Sequence, residues 1–205
     1  MGVFEVIKKR RSARKFKDTP VPDDIIRTLI ESARLAPSGG NGQDWLFGVI
    51  TDKNSIKRLA EAAGNQTWIT TAPLVISLCG KLDAGLSGVP DDDLGLMVNK
   101  ARFTPEFIKY LQDYPDQKAV SLLFNNSVPM IPGEHIFLTA VESGLSACWV
   151  GFLDINKASE VLGLPQDYAC LFLMPIGYPD EEPVNIERKP ISEIAFLNKY
   201  DKKYQ

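Results

Sequence analysis

The sequence predicts a single domain that combines α-helices with short, buried β-strands. Its 205 residues, 44% hydrophobic and 24% charged, have ordinary globular composition and are enough to bury a substantial core. Apolar runs over residues 72–79 and 169–176 are too short for typical buried helices and favour strands. Apolar residues at helical spacing over 25–33 indicate an amphipathic helix. Both kinds of element are therefore expected.

The chain opens with a short helix predicted over residues 3–9, followed by the basic segment RRSARKF over residues 10–16. If this segment is extended, Arg10, Ser12 and Arg14 share one side; if it is helical, only Arg10 and Arg14 do. Guanidinium groups offer forked donors that match phosphate oxygens, so the segment is a candidate phosphate cradle. A solvated basic turn is the alternative.

The next elements follow from periodicity and punctuation. Pro22 precedes acidic residues suited to a first helical turn, and the helix that begins there is expected to end at Pro37. Later elements are predicted as a strand over 45–50, a helix from Asn54 or Ser55 to 63, a strand over 72–79, a helix from 132–134 to about 144, a helix capped by Asp154 through 161, and a strand over 169–176.

The loop between the second helix and the first strand reads SGGNGQ over residues 38–43. Its glycines permit positive φ and close backbone approach. Ser38, Asn41 and Gln43 supply hydrogen-bond donors and acceptors that suit a flat heterocycle carrying carbonyls and ring nitrogens. For the loop taken alone, a polar surface turn is the simpler explanation.

Residues 80–132 differ in composition from the rest of the chain. A Gly- and Pro-containing acidic loop comes first, and a mostly helical pattern rich in aromatics follows. This region could be a lid over a flat ligand, or its aromatics could pack a helical excursion onto the core. Residues 145–151, LSACWVG, form a short apolar segment in which Gly151 could let a backbone N–H approach a ligand; a strand end is the alternative.

Charge and apolar content exclude several functional classes. The net charge of -3 argues against a sequence-independent nucleic-acid binder. No apolar run approaches the ~20 residues of a membrane span, and the N-terminus lacks the apolar region of a signal peptide. The expectation is a cytoplasmic protein.

The cysteines and histidine indicate neither a metal site nor a hydrolase. Cys79, Cys148 and Cys170 are isolated in apolar stretches and are expected to be reduced core residues. His135 stands without clustered ligands or a G-x-S-x-G motif. Neither a P-loop nor G-x-G-x-x-G is present, so no separate dinucleotide domain is expected.

Four motifs in order resemble the FMN-dependent nitroreductase family: RRSARKF, APSGGNGQDW, GLSACWVG and MPIGYPDEEPVNIERKPISEI. The resemblance runs from residue 10 to residue 194. It implies one α+β domain over 1–205, with a mixed, largely antiparallel central sheet flanked by helices. It also implies an intertwined homodimer in which residues 180–205 form an arm that crosses to the other subunit, and this accounts for a tail too thinly apolar to fold alone.

The resemblance also implies the cofactor contacts. Arg10, Ser12 and Arg14, with Arg11 adjacent, would meet the FMN phosphate and ribityl chain, and Arg188 would close on the phosphate. The flavin would be lined from the other subunit by the 37–43 loop, and backbone amides would face its ring, with the Gly151 N–H near N5. The residues implied for the loop and the ring are Pro37, Ser38, Gly39, Asn41, Gln43, Trp149, Val150 and Gly151. Phe103, Phe107 and Phe124 are candidate substrate contacts.

The implied activity is transfer of hydride from NAD(P)H through FMN, by a ping-pong scheme, to a nitroaromatic, a quinone or a similar conjugated acceptor. No side chain is then required as a catalytic acid or base, and no metal is expected. Alternatives are a flavin-binding or redox-sensing protein without an efficient acceptor, and other flavin chemistry such as dehalogenation, enone reduction or flavin cleavage.

The chain departs from the family pattern at two positions and in one region. Asp44 stands where the loop usually has proline, and Ser146 replaces a glycine. No lysine occurs between Gly64 and Gly80, so Arg14 is expected to stabilise the reduced flavin.

Overall fold

A four-stranded antiparallel sheet is the centre of the fold. The structure is a computed structural model that describes residues 2–82, 85–182, 184 and 186–204. The strands are β1 (Trp45–Ile50), β2 (Leu74–Lys81), β3 (Ser146–Ala147) and β4 (Tyr168–Gly177), in the order β1-β2-β4-β3. Each neighbouring pair is antiparallel. The helices are α1 (Val3–Lys9), α2 (Asp23–Arg34), α3 (Lys53–Ala62), α4 (Leu94–Arg102), α5 (Pro105–Asp113), α6 (Gln117–Asn125), α7 (Met130–Glu142), α8 (Ile155–Leu162) and α9 (Ile191–Ile194).

Helices cover both faces of the sheet. On β2, Leu74 and Ile76 pack with α2 and α7, while Val75 and Cys79 pack with α3 and α8. Successive side chains of a strand point to opposite faces, so a strand covered on both sides must be apolar throughout. This explains the continuous apolar runs that predicted β2 and β4, and both strands are confirmed.

Several helix boundaries differ from the prediction by one to four residues, and three of them have a clear local cause. Helix α2 ends at Arg34 instead of Pro37, because the residue before a proline is disfavoured in the α conformation. Helix α3 begins at Lys53, since the Asp52 carboxylate caps it by accepting the Ser55 N–H at 2.7 Å. Helix α7 begins at Met130 and carries Pro132 in its first turn, where a missing N–H leaves no intrahelical bond unmade.

The described residues between β2 and α7 include three further helices, α4, α5 and α6, which together are called the helical excursion. Helices α4, α5 and α6 bury a small cluster of their own, which includes Leu96, Ile108 and Val120. Asn125 fastens α6 to the end of β2 by donating from Nδ2 to the Lys81 carbonyl at 3.0 Å. The excursion is therefore attached to the sheet through the end of β2.

The central sheet is antiparallel, and its parallel component is slight. Within the described chain, the parallel pairing is the single bridge between Ser12 and Ala147. The expected α+β fold is confirmed in its antiparallel sheet and flanking helices. The intertwined dimer and its exchanged arm remain predictions.

The C-terminal tail leaves a row of large apolar side chains in solvent. After β4 the chain forms the short helix α9 and then a turn closed by a bridge between Phe196 and Lys203. The exposed apolar residues are Val184, Ile186, Ile191, Ile194, Phe196, Leu197, Tyr200 and Tyr204. Among the described residues, no helix has the length and apolar content needed to cross a membrane.

Candidate functional site

The basic segment of residues 10–16 is extended, which is the first of the two conformations considered for it. On one flank Ser12 bridges to Ala147, and the Ala13 N–H donates to the Ala147 carbonyl at 3.1 Å. On the other flank Phe16 bridges to Pro179. The segment is therefore held between β3 and the chain that leaves β4.

Arg10, Ser12 and Arg14 all lie near the thiol of Cys148, because each of them influences its pKa. Burial raises the pKa of the Cys148 thiol, while the charges of Arg14 and Arg10 and a hydrogen bond from Ser12 oppose the increase. The Glu181 carboxylate reinforces it. Two guanidinium groups and one hydroxyl thus lie in the neighbourhood of this thiol, and groups of these kinds bind anions.

A cavity of about 290 Å³ opens between the basic segment and the chain after β4. Arg10 does not line it: its guanidinium carbon lies 5.2 Å from the centre of the Phe137 ring, a cation–π contact that fixes the side chain against α7. Residues around the cavity are Lys9, Arg11, Ser12, Ala13, Arg14, Ser146, Pro179, Glu181, Glu182, Val184 and Ile186.

Several lining residues were not singled out in the sequence. Lys9, Glu181 and Glu182 carry charge into the cavity, and Ser146, noted only as a departure from the family pattern, also lines it. The signal for the glutamates was present in the motif GYPDEEP, which follows β4 directly. Arg188 is exposed and is not among the residues that line this cavity.

The 37–43 loop is a strained turn that its own polar groups hold in place. Gly40, Asn41 and Gln43 have φ of 56°, 58° and 51°, and positive φ is unfavourable for the two non-glycine residues. The Ser38 hydroxyl accepts the Gln43 N–H at 3.1 Å, and Gln43 Nε2 donates to the Asn41 carbonyl at 3.2 Å. Pro37 and Gly39 flank these bonds at the start of the turn.

This loop lies against both the sheet and the helical excursion. The Asp44 carbonyl accepts the Lys81 N–H at 2.9 Å, beside β1. A Cβ placed on Gly40 would lie 3.3 Å from the Leu94 side chain at the start of α4. The loop therefore lies under the first turn of α4, where a side chain at position 40 would be crowded.

The segment of residues 149–151 continues the line of β3 along β4. Val150 exchanges two backbone hydrogen bonds with Leu173, of 2.9 and 3.1 Å. Gly151 is exposed, and no described residue accepts a hydrogen bond from its N–H. One backbone donor is therefore available to a ligand at this point.

Trp149 is held firmly beside that donor. Its indole Nε1 donates to the Glu134 carboxylate at 3.2 Å, and its ring meets Phe172 edge-on at 5.5 Å. The indole also fills the space above Gly133, where a Cβ would overlap it. Rigid neighbours of this kind suit a site that orients a planar ligand.

The three phenylalanines proposed as substrate contacts cluster with one another. Phe103 lies edge-on to Phe107 at 5.5 Å and to Phe124 at 6.0 Å. Phe103 and Phe124 pack against the core of the α4–α6 region. No hydrogen bond or ring contact within the described chain joins them to residues 10–14.

Comparison with known proteins gives a consistent result along the chain. The model of the Nitroreductase family matches residues 7–178. A protein named NADH dehydrogenase from Thermus thermophilus is 29% identical over 91% of both chains. NADPH-flavin oxidoreductase from Vibrio harveyi is 26% identical, covering 97% of this chain and 75% of its own. Iodotyrosine deiodinase from Nematostella vectensis is 25% identical, covering 95% and 74%.

Two solved structures are similar to this chain along most of its length. A nitroreductase family protein from Clostridium difficile has a TM-score of 0.71 and 27% identity over 97% of this chain and 99% of its own. The NADPH:FMN oxidoreductase of Vibrio harveyi, complexed with NAD+, has a TM-score of 0.71 and 25% identity, covering 98% and 79%.

Proposed function

Because the chain belongs to the nitroreductase family, whose model matches 7–178, we propose that it is an FMN-dependent NAD(P)H oxidoreductase. The acceptor we assign is a nitroaromatic, a quinone or a similar conjugated molecule. Bound FMN supplies the chemistry by accepting hydride from the nicotinamide and passing electrons to this acceptor. Relatives named as NADPH-flavin and NADPH:FMN oxidoreductases support the assignment.

The observation that carries the proposal is the extended basic segment beside β3. Arg10, Ser12 and Arg14 all influence the pKa of the Cys148 thiol, and Arg11, Ser12 and Arg14 line the adjoining cavity. This donor set fits a phosphate monoester. FMN carries one such group, so these residues are assigned to bind its phosphate and the nearby ribityl hydroxyls. Arg188 is assigned to the same phosphate and Arg14 also to the reduced flavin.

The remaining site residues are assigned to the flavin ring. The N–H of Gly151, which has no acceptor in the described chain, would donate to the ring near N5, and Trp149 and Val150 would hold that N–H in position. Pro37, Ser38, Gly39, Asn41 and Gln43 would line the ring from a second subunit. Phe103, Phe107 and Phe124 are retained as candidate contacts to the acceptor, in a lid formed by residues 80–132.

A homodimer is part of this proposal. The tail beyond residue 180 exposes a row of apolar side chains that burial against another surface would stabilise. We assign the second copy of the chain as that surface, with FMN bound where the subunits meet.

The first experiment is the visible absorption spectrum of the purified protein, reconstituted with FMN and then treated anaerobically with NADH or NADPH. We expect a flavin spectrum that bleaches on addition of nicotinamide. A bound flavin that does not bleach would favour a flavin-binding protein without reductase activity. Absence of flavin after reconstitution would refute the proposal.

Substitutions at the cradle test which residues hold the cofactor. Arg10→Ala, Arg14→Ala and Arg188→Ala should each weaken FMN binding, because each removes a charged donor to phosphate. Arg58→Ala is the matched control, since Arg58 is exposed on α3 and does not line this cavity. Unchanged FMN affinity in the Arg10 and Arg14 variants would contradict the assignment.

Reductive dehalogenation is a second candidate, favoured by the likeness to iodotyrosine deiodinase. Both activities use reduced flavin, so nicotinamide turnover alone does not separate them. The two activities are separated by incubating the reduced protein with a halophenol and with a nitroaromatic. Halide release is measured for the first compound and loss of the nitro group for the second. Halide release alone would replace the first acceptor class by the second.

A further inference from the structure

Glu181 reaches from the start of the C-terminal tail into the basic segment. Its Oε1 accepts the backbone N–H of Arg14 at 2.5 Å, across 167 positions of sequence. The backbone ladder between these two stretches ends just before this point, where the Asp180 N–H donates to the Lys15 carbonyl at 3.0 Å. The Glu181 side chain therefore takes the next N–H of the segment as the main chain diverges.

The Glu181 carboxylate influences the same group, the Cys148 thiol, as the residues of the basic segment do. Glu181 reinforces the raised pKa of the Cys148 thiol, whereas Arg14, Ser12 and Arg10 oppose it. Glu181 also lines the cavity together with Ser12 and Arg14. A negative charge thus lies within reach of the groups that would bind a phosphate.

Two consequences follow for an incoming phosphate. The Arg14 N–H already donates to the Glu181 carboxylate, which lines the cavity. A phosphate that binds this N–H must share or replace that hydrogen bond. The phosphate also meets repulsion from Glu181, which is moderated because this carboxylate is exposed to solvent. Both effects reduce the affinity of the segment for phosphate.

We propose that Glu181 is an internal counter-anion of the phosphate-binding segment, and that its charge sets how tightly the site holds FMN. The inference rests on the proposed function, since it concerns the same cradle. It identifies a positioning residue that restrains affinity, whereas the arginines increase it. A chain without this charge would bind phosphate compounds more tightly.

The test compares FMN and inorganic phosphate binding by the wild type, Glu181→Gln and Glu182→Gln. Glutamine keeps an oxygen that accepts the Arg14 N–H, so Glu181→Gln removes charge with little change of shape. Glu182 lines the same cavity but makes no hydrogen bond within the described chain, which makes it the matched control. Thermal unfolding of each apoprotein checks that the variants are folded.

We expect Glu181→Gln to lower the dissociation constant for FMN about threefold to tenfold at low salt, and Glu182→Gln to lower it less. The gain should shrink in 0.5 M salt, because screening weakens a charge effect and leaves a purely structural effect unchanged. Equal or weaker binding by Glu181→Gln, or a gain insensitive to salt, would overturn this inference alone. Failure of the wild type to bind FMN would overturn the proposed function as well.

Discussion

Replacing Gly151 with proline removes one backbone donor from the proposed flavin site without deleting a side chain. Proline has no N–H, and the residue before it prefers an extended conformation. Val150 already has that conformation in its pairing with Leu173, and its own hydrogen bonds to that residue are unaffected. The change therefore targets the N–H assigned to the flavin.

The expected cost comes from one lost hydrogen bond. Leaving a buried acceptor of the flavin unsatisfied costs about 1–3 kcal/mol, equivalent to roughly a 5- to 150-fold weaker dissociation constant. Gly151→Ala is the matched control: its Cβ would lie 3.4 Å from Phe172 Cε1, an ordinary van der Waals contact, and it retains the N–H. The alanine variant should bind FMN within about twofold of the wild type, since the change in contact energy is below ~0.5 kcal/mol.

The assay is a fluorescence titration of FMN into apoprotein, with thermal unfolding of the apoprotein as a folding control and the midpoint potential of bound flavin as a second readout. A bond near N5 that differs in strength between oxidised and reduced flavin should shift that potential in the proline variant. If the proline and alanine variants match in both affinity and potential, and both fold, the Gly151 N–H is not a flavin ligand.

Two further predictions concern stability and reactivity. Ser77→Ala should destabilise the fold by about 0.5–1.5 kcal/mol in urea denaturation, because alanine removes the hydrogen bond that the buried Ser77 hydroxyl accepts from the Gly48 N–H at 3.0 Å. Ser87→Ala at the surface is the control, and equal midpoints would contradict the argument. The thiols of Cys79, Cys148 and Cys170 are all free and buried. They should therefore resist a thiol reagent in the native protein and react with it on unfolding. Rapid labelling of the native protein would refute this prediction.

The reduced state expected of the cysteines has a structural basis. Cys79 and Cys170 face each other across β2 and β4, and both side chains are buried in the same cluster. The neighbouring Cys79 thiol and burial both raise the pKa of Cys170, which keeps its proton in place and its reactivity low. The sequence predicted isolated thiols, and only the strand register shows that two of them are neighbours.

The elements that depend on residues close together in the sequence were predicted correctly from local patterns. The strands β2 and β4 are apolar on both faces and were identified from composition alone. The cap of α8 by Asp154, and its end at Gly163 with φ of 61°, were also readable, because each acts within one turn. In contrast, β3 has two residues, and its existence depends on β4, a partner about thirty positions away.

The extended conformation of the basic segment was one of the two predicted from the sequence, whereas the contacts of this segment with distant residues were not predicted. Alternation in an extended segment would place Arg10, Ser12 and Arg14 on one side, and the sequence predicted this arrangement on that condition. It could not indicate that Phe137 draws the Arg10 guanidinium away from the cavity, or that Glu181 bonds the Arg14 N–H. Those contacts join segments more than a hundred residues apart, and no local pattern encodes them.

The unburied tail gives the last prediction, which concerns the proposed dimer. Ile194 on α9 is 68% exposed, and burying such a side chain contributes roughly 1.5–3 kcal/mol. A twofold dimer contains two tails, so Ile194→Glu should weaken association by at least about 3 kcal/mol, or more than a hundredfold, before the cost of burying charge is added. Lys199→Glu places the same new residue on the same tail and should matter less, since it buries no apolar group.

Light scattering during size exclusion measures the outcome directly. The wild type should elute at twice the chain mass of 22.7 kDa, and the Ile194 variant should shift toward the monomer. It should lose FMN in parallel, because the 37–43 loop is assigned to the flavin of the other subunit. A variant that becomes monomeric yet binds FMN with wild-type affinity would show that the cradle beside β3 suffices, and that the loop does not take part in binding.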